Sequence, residues 1–378
     1  MRFLSKYPSL TALILLFLII VGPFFVYHYE QRTAILDVYS HLDQNPKTPD
    51  RVLPSKKDQE YIRILAIDGG GIYGILPAHV MRYLEEKTGK HSTELFDVMM
   101  GTSTGALLNV LLNVPDRKGN PKYTAQQALD IYNDDGKFIF YSPWYHRILT
   151  LNGLIGPKYM TTARYKIFRK YLGKVLFDKL INNVVIPVYD VKNKAPLLFY
   201  NWKGETESSD NFTSAELLMG AVSPPGFFPS VVFGSHNNRY VLADGALFVN
   251  SPVLAALLIA MKIYPNKKYI LVSLGTGSPR GEKEVTSKEI VDWGDIQWGG
   301  DILEAFLGGG DKFNNMLVGR TFPFPVEYYR FTTEVNPIDR RIDNIAPWNI
   351  ARLNKEAEKM IENNKKELDL LIPKLLKP

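Results

Sequence analysis

Three short glycine-containing motifs follow apolar runs in this chain, and they constrain its fold more than any other feature. The first, D-G-G-G-I-Y-G at residues 68–74, follows the β-rich run 61–67 and precedes a helix predicted over 76–87. The second, G-T-S-T-G at 101–105, lies between a strand predicted over 96–100 and a helix predicted over 106–112. Strands that alternate with helices indicate a largely parallel sheet covered on both faces.

The rest of the chain continues this alternation. Its length of 378 residues and hydrophobic content of 46% are sufficient for one large core or for two domains. Because no second break in composition occurs after residue 60, we predict one α/β domain over residues 60–378, preceded by a polar linker over 31–59. Further strands are predicted at 184–188, 197–200, 240–242 and 269–274, and further helices at 125–132, 163–172, 214–221, 253–263 and 349–370.

The N-terminal 30 residues differ sharply in composition. Residues 8–27 contain no Asp, Glu, Lys, Arg or His, and at about 1.5 Å per residue they span a hydrocarbon core of about 30 Å. A cleaved signal peptide would end in small residues, whereas 24–29 is bulky and aromatic. A buried helix would usually show a polar face. We therefore predict an uncleaved transmembrane anchor over residues 1–30. Arg2 and Lys6 precede it, so the positive-inside rule predicts an extracytoplasmic catalytic domain.

Charge and cysteine content exclude several functions. The net charge of +6 is not gathered in one basic stripe with interleaved aromatics, so nucleic acid is not a predicted partner. The excess indicates a solvated surface or a mild preference for anionic membranes. The absence of cysteine excludes disulfides, thiol nucleophiles and cysteine-ligated zinc.

The second motif has the G-x-S-x-G pattern that presents a serine nucleophile on a strained strand-to-helix turn. Such a turn needs neighbours without side chains, which Gly101 and Gly105 provide on either side of Ser103. The helix predicted over 106–112 points its N-terminus at Ser103, with Thr104 directly after the nucleophile, and that end favours a developing negative charge. The alternative is a glycine-rich turn with an incidental serine.

The first motif supplies backbone N–H groups. Three consecutive glycines, Gly69, Gly70 and Gly71, free the backbone to turn several donors toward one oxyanion. With Gly74 they also match the dinucleotide fingerprint G-x-G-x-x-G. Asp68 counts against that alternative because its carboxylate would lie beside a pyrophosphate, and no strand ends in an acid about 20 residues later. A purely structural turn is the remaining alternative.

The third motif is Asp244-Gly245-Ala246, which follows the run 239–243. The six histidines lie at positions 28, 41, 79, 91, 146 and 236, so none follows Asp244. The order Ser…Asp…His of α/β-hydrolases therefore cannot be completed with Asp244 as the acid. Either a histidine enters from an unusual place, or a carboxylate acts directly on Ser103.

Together the motifs resemble those of the patatin-like phospholipases, namely D-G-G-G-x-[KR]-G, G-x-S-x-G and D-G-[AG] in that order. The similarity continues through about residues 60 to 370. It includes A-V-S-P-P-G-F-F-P at 221–229, N-S-P at 250–252, V-S-L-G-T-G at 272–277, W-G at 293–294 and Y-Y-R-F at 328–331.

The resemblance implies a three-layer α/β/α fold and a lipid acyl hydrolase that needs no metal or cofactor. It implies Ser103 as nucleophile, Asp244 as base, and phospholipid or another acyl-lipid as substrate, with the membrane as partner and no identified protein partner. Two positions depart from the family pattern. Tyr73 stands where Lys or Arg is usual, which removes a positive charge, and Ala106 replaces a frequent glycine. A nucleotide- or phosphate-binding module and a generic esterase are the alternative functions.

Overall fold

The computed structural model describes residues 50–203, 212–233, 240–279, 310–319, 326–335 and 341–377, together with five isolated N-terminal positions. Most of the predicted membrane anchor and of the predicted linker lies outside these ranges. Among the helices that the structure does describe, none combines the length and the apolar character needed to span a bilayer. The anchor therefore stays a prediction.

A central sheet organises the described part of the domain. Five strands are mutually parallel in the order β3-β2-β1-β7-β9. Strands β4 and β6 each pair antiparallel with β3, and β5 pairs antiparallel with β6. The strands are β1 Tyr61–Ile67, β2 Val98–Gly101, β3 Asn183–Asp190, β4 Ala195–Tyr200, β5 Val231–Phe233, β6 Tyr240–Asp244, β7 Lys268–Leu274, β8 Ser278–Pro279, β9 Val326–Phe331 and β10 Glu334–Val335. The short strands β8 and β10 form a separate parallel pair.

Helices connect the strands. They are α1 Ile75–Thr88, α2 Ser92–Leu95, α3 Thr104–Asn113, α4 Ala125–Ile139, α5 Trp144–Leu149, α6 Thr161–Leu172, α7 Ser214–Ala221, α8 Val253–Ile263, α9 Pro347–Asn363 and α10 Lys365–Leu375. Residues 310–319 are also helical. Single 3-10 turns occupy Gly71–Gly74, Leu151–Gly153, Phe177–Lys179 and Gly245–Leu247.

The sheet separates two hydrophobic cores. On β1, Leu65 and Ile67 face a large core with α1, α3 and α4, whereas Ile62, Ile64 and Ala66 face a smaller core with α8. Successive side chains of a strand point to opposite faces, so a strand buried on both sides is apolar throughout. This arrangement confirms the predicted α/β fold with a central sheet and helices.

Three sequence predictions differ from the structure. The helix predicted over 349–370 is present as two helices, because Asn364 separates α9 from α10 and its side chain donates to the Met360 carbonyl, a local bond that competes with helix propagation. The elements that were not predicted are α2, α5, the helical residues 310–319, β5, β8, β9 and β10. The last part of the predicted linker packs on the domain, since the Arg51 guanidinium donates to the carbonyls of Leu180 and Ile181.

Candidate active site

The structure brings Ser103 and Asp244 into direct contact. Ser103 follows β2 and precedes α3, and Asp244 is the last residue of β6. Both strands pair with β3, so their ends lie close together. The Ser103 hydroxyl donates to Asp244 Oδ2 over 2.6 Å. Ser103 is 5% exposed and Asp244 1% exposed, so the hydrogen bond is shielded from bulk water.

The turn that carries Ser103 is strained and tightly packed. Ser103 has φ 53° and ψ −117°, a conformation that L-residues rarely adopt and that is concentrated at functional sites. A Cβ added at Gly101 would lie 2.3 Å from the Gly105 backbone, and one added at Gly105 would lie 2.4 Å from the Ile67 carbonyl oxygen. The two flanking glycines are therefore required by close backbone approach.

Burial sets the basicity of Asp244. Removal from water raises the pKa of this carboxyl group to about 6, although hydrogen bonds from the Ser103 hydroxyl and the Ala246 amide and the positive charge of Arg164 act against the rise. The group is therefore mostly ionised at neutral pH and still basic enough to accept a proton. Gly245 is needed beside it, because a Cβ there would lie 2.4 Å from the Pro187 carbonyl oxygen.

A buried arginine supports the aspartate. The Arg164 guanidinium, on α6, is fully buried and donates to the carbonyls of Met219 and Val222 and to the Ser223 hydroxyl. The Ser223 carbonyl in turn accepts the Asp244 amide over 3.1 Å. Burial lowers the pKa of Arg164 to about 9, and the negative charge of Asp244 counteracts that shift. Nothing in the sequence identified this residue, which lies 80 positions before Asp244.

None of the three histidines that the structure describes hydrogen-bonds Ser103 or Asp244. His79 Nε2 pairs with the Asn354 side chain over 2.7 Å, and His146 Nε2 pairs with the Pro157 carbonyl over 2.8 Å. His91 lies at the start of α2. The other histidines lie outside the described residues. Within the described chain, the Asp244 carboxylate is the titratable side chain that hydrogen-bonds the Ser103 hydroxyl.

The structure of the glycine loop differs from the prediction that Gly69, Gly70 and Gly71 all donate to the oxyanion. The Gly69 amide donates to the Asn250 carbonyl over 3.0 Å, so it is engaged and is not a free donor beside Ser103. Within the described part of the chain no hydrogen bond uses the amides of Gly70 or Gly71. Gly71 has φ +58°, and a Cβ there would lie 2.3 Å from the Ile342 carbonyl oxygen. The loop therefore offers two donors rather than three.

A buried polar network holds the glycine loop. The Asp68 carboxylate pairs with the Arg330 guanidinium, which also donates to the Ser273 hydroxyl. Asp311 accepts from the Asn250 side chain, and burial together with the negative charge of Asp68 raises the pKa of Asp311 to about 6. Sequence reasoning named Asp68 as motif support but missed its partners, because they are distant in the chain.

Thr104 fixes the beginning of α3. Its hydroxyl pairs with the Tyr132 hydroxyl over 2.8 Å, and the Tyr132 hydroxyl also lies 2.9 Å from the Thr104 carbonyl oxygen. A Cβ at Gly74 would lie 2.2 Å from the Thr104 hydroxyl oxygen and 2.7 Å from the Tyr132 ring. Gly74 thus permits the glycine loop to pack on the helix that follows Ser103. Tyr73, at the position usually basic in the family pattern, is buried.

The loop is packed by side chains where a nucleotide would need space. A Cβ at Gly70 would lie 2.5 Å from the Thr276 hydroxyl, which itself donates to the Gly69 carbonyl. This packing gives the dinucleotide interpretation no support. Across the described ranges, no three His, Cys, Asp or Glu side chains are grouped as metal ligands.

Comparison with known proteins identifies the family. Residues 65–257, slightly more than half of the chain, match the family description "Patatin-like phospholipase". Patatin-like protein 1 of Arabidopsis thaliana is 27% identical over 360 residues, which is 84% of this chain and 86% of that protein. Patatin-like protein 2 of the same plant is 29% identical over 281 residues, 67% and 68% of the two chains. Among solved structures, VipD from Legionella pneumophila is 12% identical with a TM-score of 0.34, covering 85% and 71%, a likeness too low to add support. On the sequence match, the chain belongs to the patatin-like phospholipase family.

Proposed function

We propose that this protein is a lipid acyl hydrolase of the phospholipase A type, with Ser103 as nucleophile and Asp244 as base. The observation that carries the proposal is the 2.6 Å hydrogen bond between these two buried side chains. Membership of a phospholipase family supports a lipid as substrate. The strained backbone of Ser103 and the raised pKa of Asp244 are both features concentrated at catalytic sites.

The reaction proceeds through an acyl-enzyme. Asp244 accepts the hydroxyl proton while Ser103 Oγ attacks the ester carbonyl carbon, forming a tetrahedral oxyanion. The amides of Gly70 and Gly71 and the N-terminus of α3 stabilise that charge, and one preorganised donor of this kind typically contributes about 3–4 kcal/mol to the transition state. The proton passes from Asp244 to the departing alcohol as the C–O bond breaks.

Water completes the cycle. Asp244 takes a proton from a water molecule, whose oxygen attacks the acyl carbon, and the Ser103 oxygen leaves and regains the proton. A free fatty acid is released, and the enzyme returns to its starting state with no metal or cofactor consumed. The predicted anchor over residues 1–30 would hold the domain beside its lipid substrate, on the extracytoplasmic side if Arg2 and Lys6 stay in the cytoplasm.

Active-site labelling tests the proposal. We expect a fluorophosphonate probe to label the full-length protein, and Ser103→Ala to lose both the label and ester hydrolysis. Asp244→Asn should abolish hydrolysis with the fold retained, as judged by circular dichroism. Ser214→Ala is the matched control, because its hydroxyl is buried without a partner among the described residues. Retained hydrolysis in Ser103→Ala would refute the nucleophile.

Substrate length separates the proposal from a generic esterase. A lipid acyl hydrolase should release long-chain fatty acids from phospholipid vesicles at rates lost in Ser103→Ala. A generic esterase would cleave only water-soluble short-chain esters, and a phosphate-binding module would cleave neither. Measuring both substrates with the same preparation decides among the three.

A further inference from the structure

Seven large hydrophobic side chains within the 18-residue segment 138–155 are exposed, and they are here called the apolar face. Trp144 is 65% exposed, Leu154 81% and Ile155 69%. Single exposed hydrophobic residues are ordinary, but seven in one short segment are not, and such a concentration indicates a binding surface. The face consists of Phe138, Tyr141, Trp144, Ile148, Leu151, Leu154 and Ile155.

The underlying backbone keeps this face turned outward. Trp144 and Ile148 are four positions apart on α5 and therefore share one side of the helix. On the other side His146 is buried and pairs with the Pro157 carbonyl, while the Thr150 hydroxyl donates to the His146 carbonyl. The apolar side chains thus stand on an anchored element.

Basic side chains outnumber acidic ones around the face, although Asp134 is exposed on α4 one turn before Phe138. Residues 136–177 contain no Asp or Glu, whereas the whole chain has a net charge of only +6. Exposed Lys137 and Arg147 directly adjoin members of the face. Basic residues beside aromatic and aliphatic ones complement the anionic head groups and acyl chains of a bilayer. Among the basic residues of this segment, Arg164 is buried, and Lys158 and Lys170 pair with Asp343 and Asp135. The others are Lys137, Arg147, Lys166, Arg169 and Lys174.

The face is continuous with the catalytic elements. The amides of Lys158 and Tyr159 donate to the carbonyls of Gly226 and Phe227, which ties the segment to the loop after α7. That loop begins at Ser223, whose carbonyl accepts the Asp244 amide. A surface docked on the apolar face would therefore lie against the elements that position the catalytic base.

From these observations we propose that the apolar face docks on an anionic lipid bilayer and presents the active site to it. The proposal rests on the proposed function only in taking the docked lipid as the substrate source. A protein partner is less well matched, since basic side chains predominate among the charged groups of the segment that carries the aromatic and aliphatic tips. Docking should weaken with salt, because the electrostatic contribution is screened.

The cysteine-free chain permits a direct test by site-specific labelling. Leu154→Cys and, as a control, Leu370→Cys are each labelled with an environment-sensitive fluorophore in full-length Ser103→Ala protein reconstituted in phosphatidylglycerol-containing vesicles. Leu370 is 65% exposed on α10 and is not part of the segment 136–177. We expect a blue shift and quenching by brominated lipid at position 154 only. Equal, unquenched spectra at both positions would overturn the proposal.

Activity gives a second readout. Trp144→Ser with Ile148→Ser should lower hydrolysis of anionic vesicles by about tenfold, from the loss of buried apolar area. Hydrolysis of a soluble short-chain ester should stay within about twofold of wild type, because these side chains do not touch the Ser103 site. The control pair Trp348→Ser with Leu370→Ser, also exposed, should change neither rate.

The two readouts separate failure of docking from failure of the function. If wild type cleaves neither substrate, the proposed function fails, while the label at Leu154 still decides whether the face enters the bilayer. The docking proposal is rejected if the double variant at Trp144 and Ile148 and the control double variant at Trp348 and Leu370 reduce vesicle hydrolysis equally, because the apolar face then has no special role.

Discussion

The buried carboxylate of Asp244 should destabilise the fold at neutral pH, so Asp244→Asn is expected to stabilise the protein while abolishing its activity. Burial raises the pKa of Asp244 from 3.8 to about 6 in the folded protein. The difference is about 2 units, and at 1.36 kcal/mol per unit it corresponds to about 3 kcal/mol of unfolding free energy.

The direction of the pH dependence follows from which protonation state of Asp244 the folded protein favours. A raised carboxyl pKa means that the folded protein favours the protonated form, so stability is lost as pH rises from about 4 to about 6. Above pH 6 the full penalty is present, and below pH 4 it is absent. The neutral asparagine removes the penalty, so its advantage over wild type should be largest at pH 7–8 and vanish near pH 4.

Asparagine can replace the hydrogen bonds of the carboxylate. Asp244 Oδ1 accepts from the Ala246 amide over 2.9 Å, and Oδ2 accepts from the Ser103 hydroxyl. The asparagine oxygen can take the first bond, and its amide nitrogen can donate to the Ser103 oxygen. The substitution therefore keeps a hydrogen-bond partner for the Ala246 amide and for the Ser103 oxygen.

Thermal unfolding of the full-length protein in mild detergent measures the effect. For a domain of this size, about 3 kcal/mol corresponds to a rise in Tm of about 5 °C at pH 8. Asp97→Asn is the control with the opposite expected effect. Desolvation tends to raise the pKa of the buried Asp97, but hydrogen bonds and charge from Arg63 and Lys56 outweigh it and lower the pKa. Asp97→Asn should therefore lower the Tm at pH 8. A lower Tm for Asp244→Asn at pH 8, or an advantage that does not shrink by pH 4, would refute the reasoning.

Three further predictions concern the same site. The acid limb of kcat/KM for a neutral short-chain ester should have its midpoint near pH 6, with about a tenfold loss per pH unit below it, because Asp244 must be ionised; a midpoint near 4 would contradict the assigned base. Arg164→Gln should move this limb to higher pH by removing a cation that lowers the pKa of Asp244, and Arg164→Lys should move it less; an unshifted limb in Arg164→Gln would exclude the electrostatic role. Gly105→Ala should lower the unfolding free energy by about 1–3 kcal/mol, because the new Cβ meets the Ile67 carbonyl, whereas Gly310→Ala has open space and should be neutral in the same unfolding assay.

Local features of the site were predictable because a few consecutive residues encode them. The strand-to-helix turn at 101–105 follows from an apolar β-rich run, two glycines and a helix-forming segment. These preferences arise from backbone sterics and side-chain periodicity within about ten residues. The order of the three motifs likewise placed Ser103 and Asp244 at the ends of strands, where a sheet brings side chains together.

Contacts between distant segments were not predictable from the same information. The Gly69 amide was expected to face the oxyanion, but Asn250 engages it from 181 positions away. Arg164 has no motif, and its effect on Asp244 depends on the packing of α6 against α7. Asn364 interrupts a helix that apolar periodicity alone predicts to continue.

The sequence by itself determined the α/β layering, the turn that presents Ser103 and the identity of the residues at the strand ends. Only the tertiary structure decided which amides stay free, that a hydroxyl and a carboxylate meet at 2.6 Å, and that burial raises the basicity of Asp244. The physical reason is the distance along the chain over which each kind of interaction acts. Steric and periodic preferences act between neighbours in the chain, whereas desolvation and charge interactions depend on every segment that surrounds a group in space.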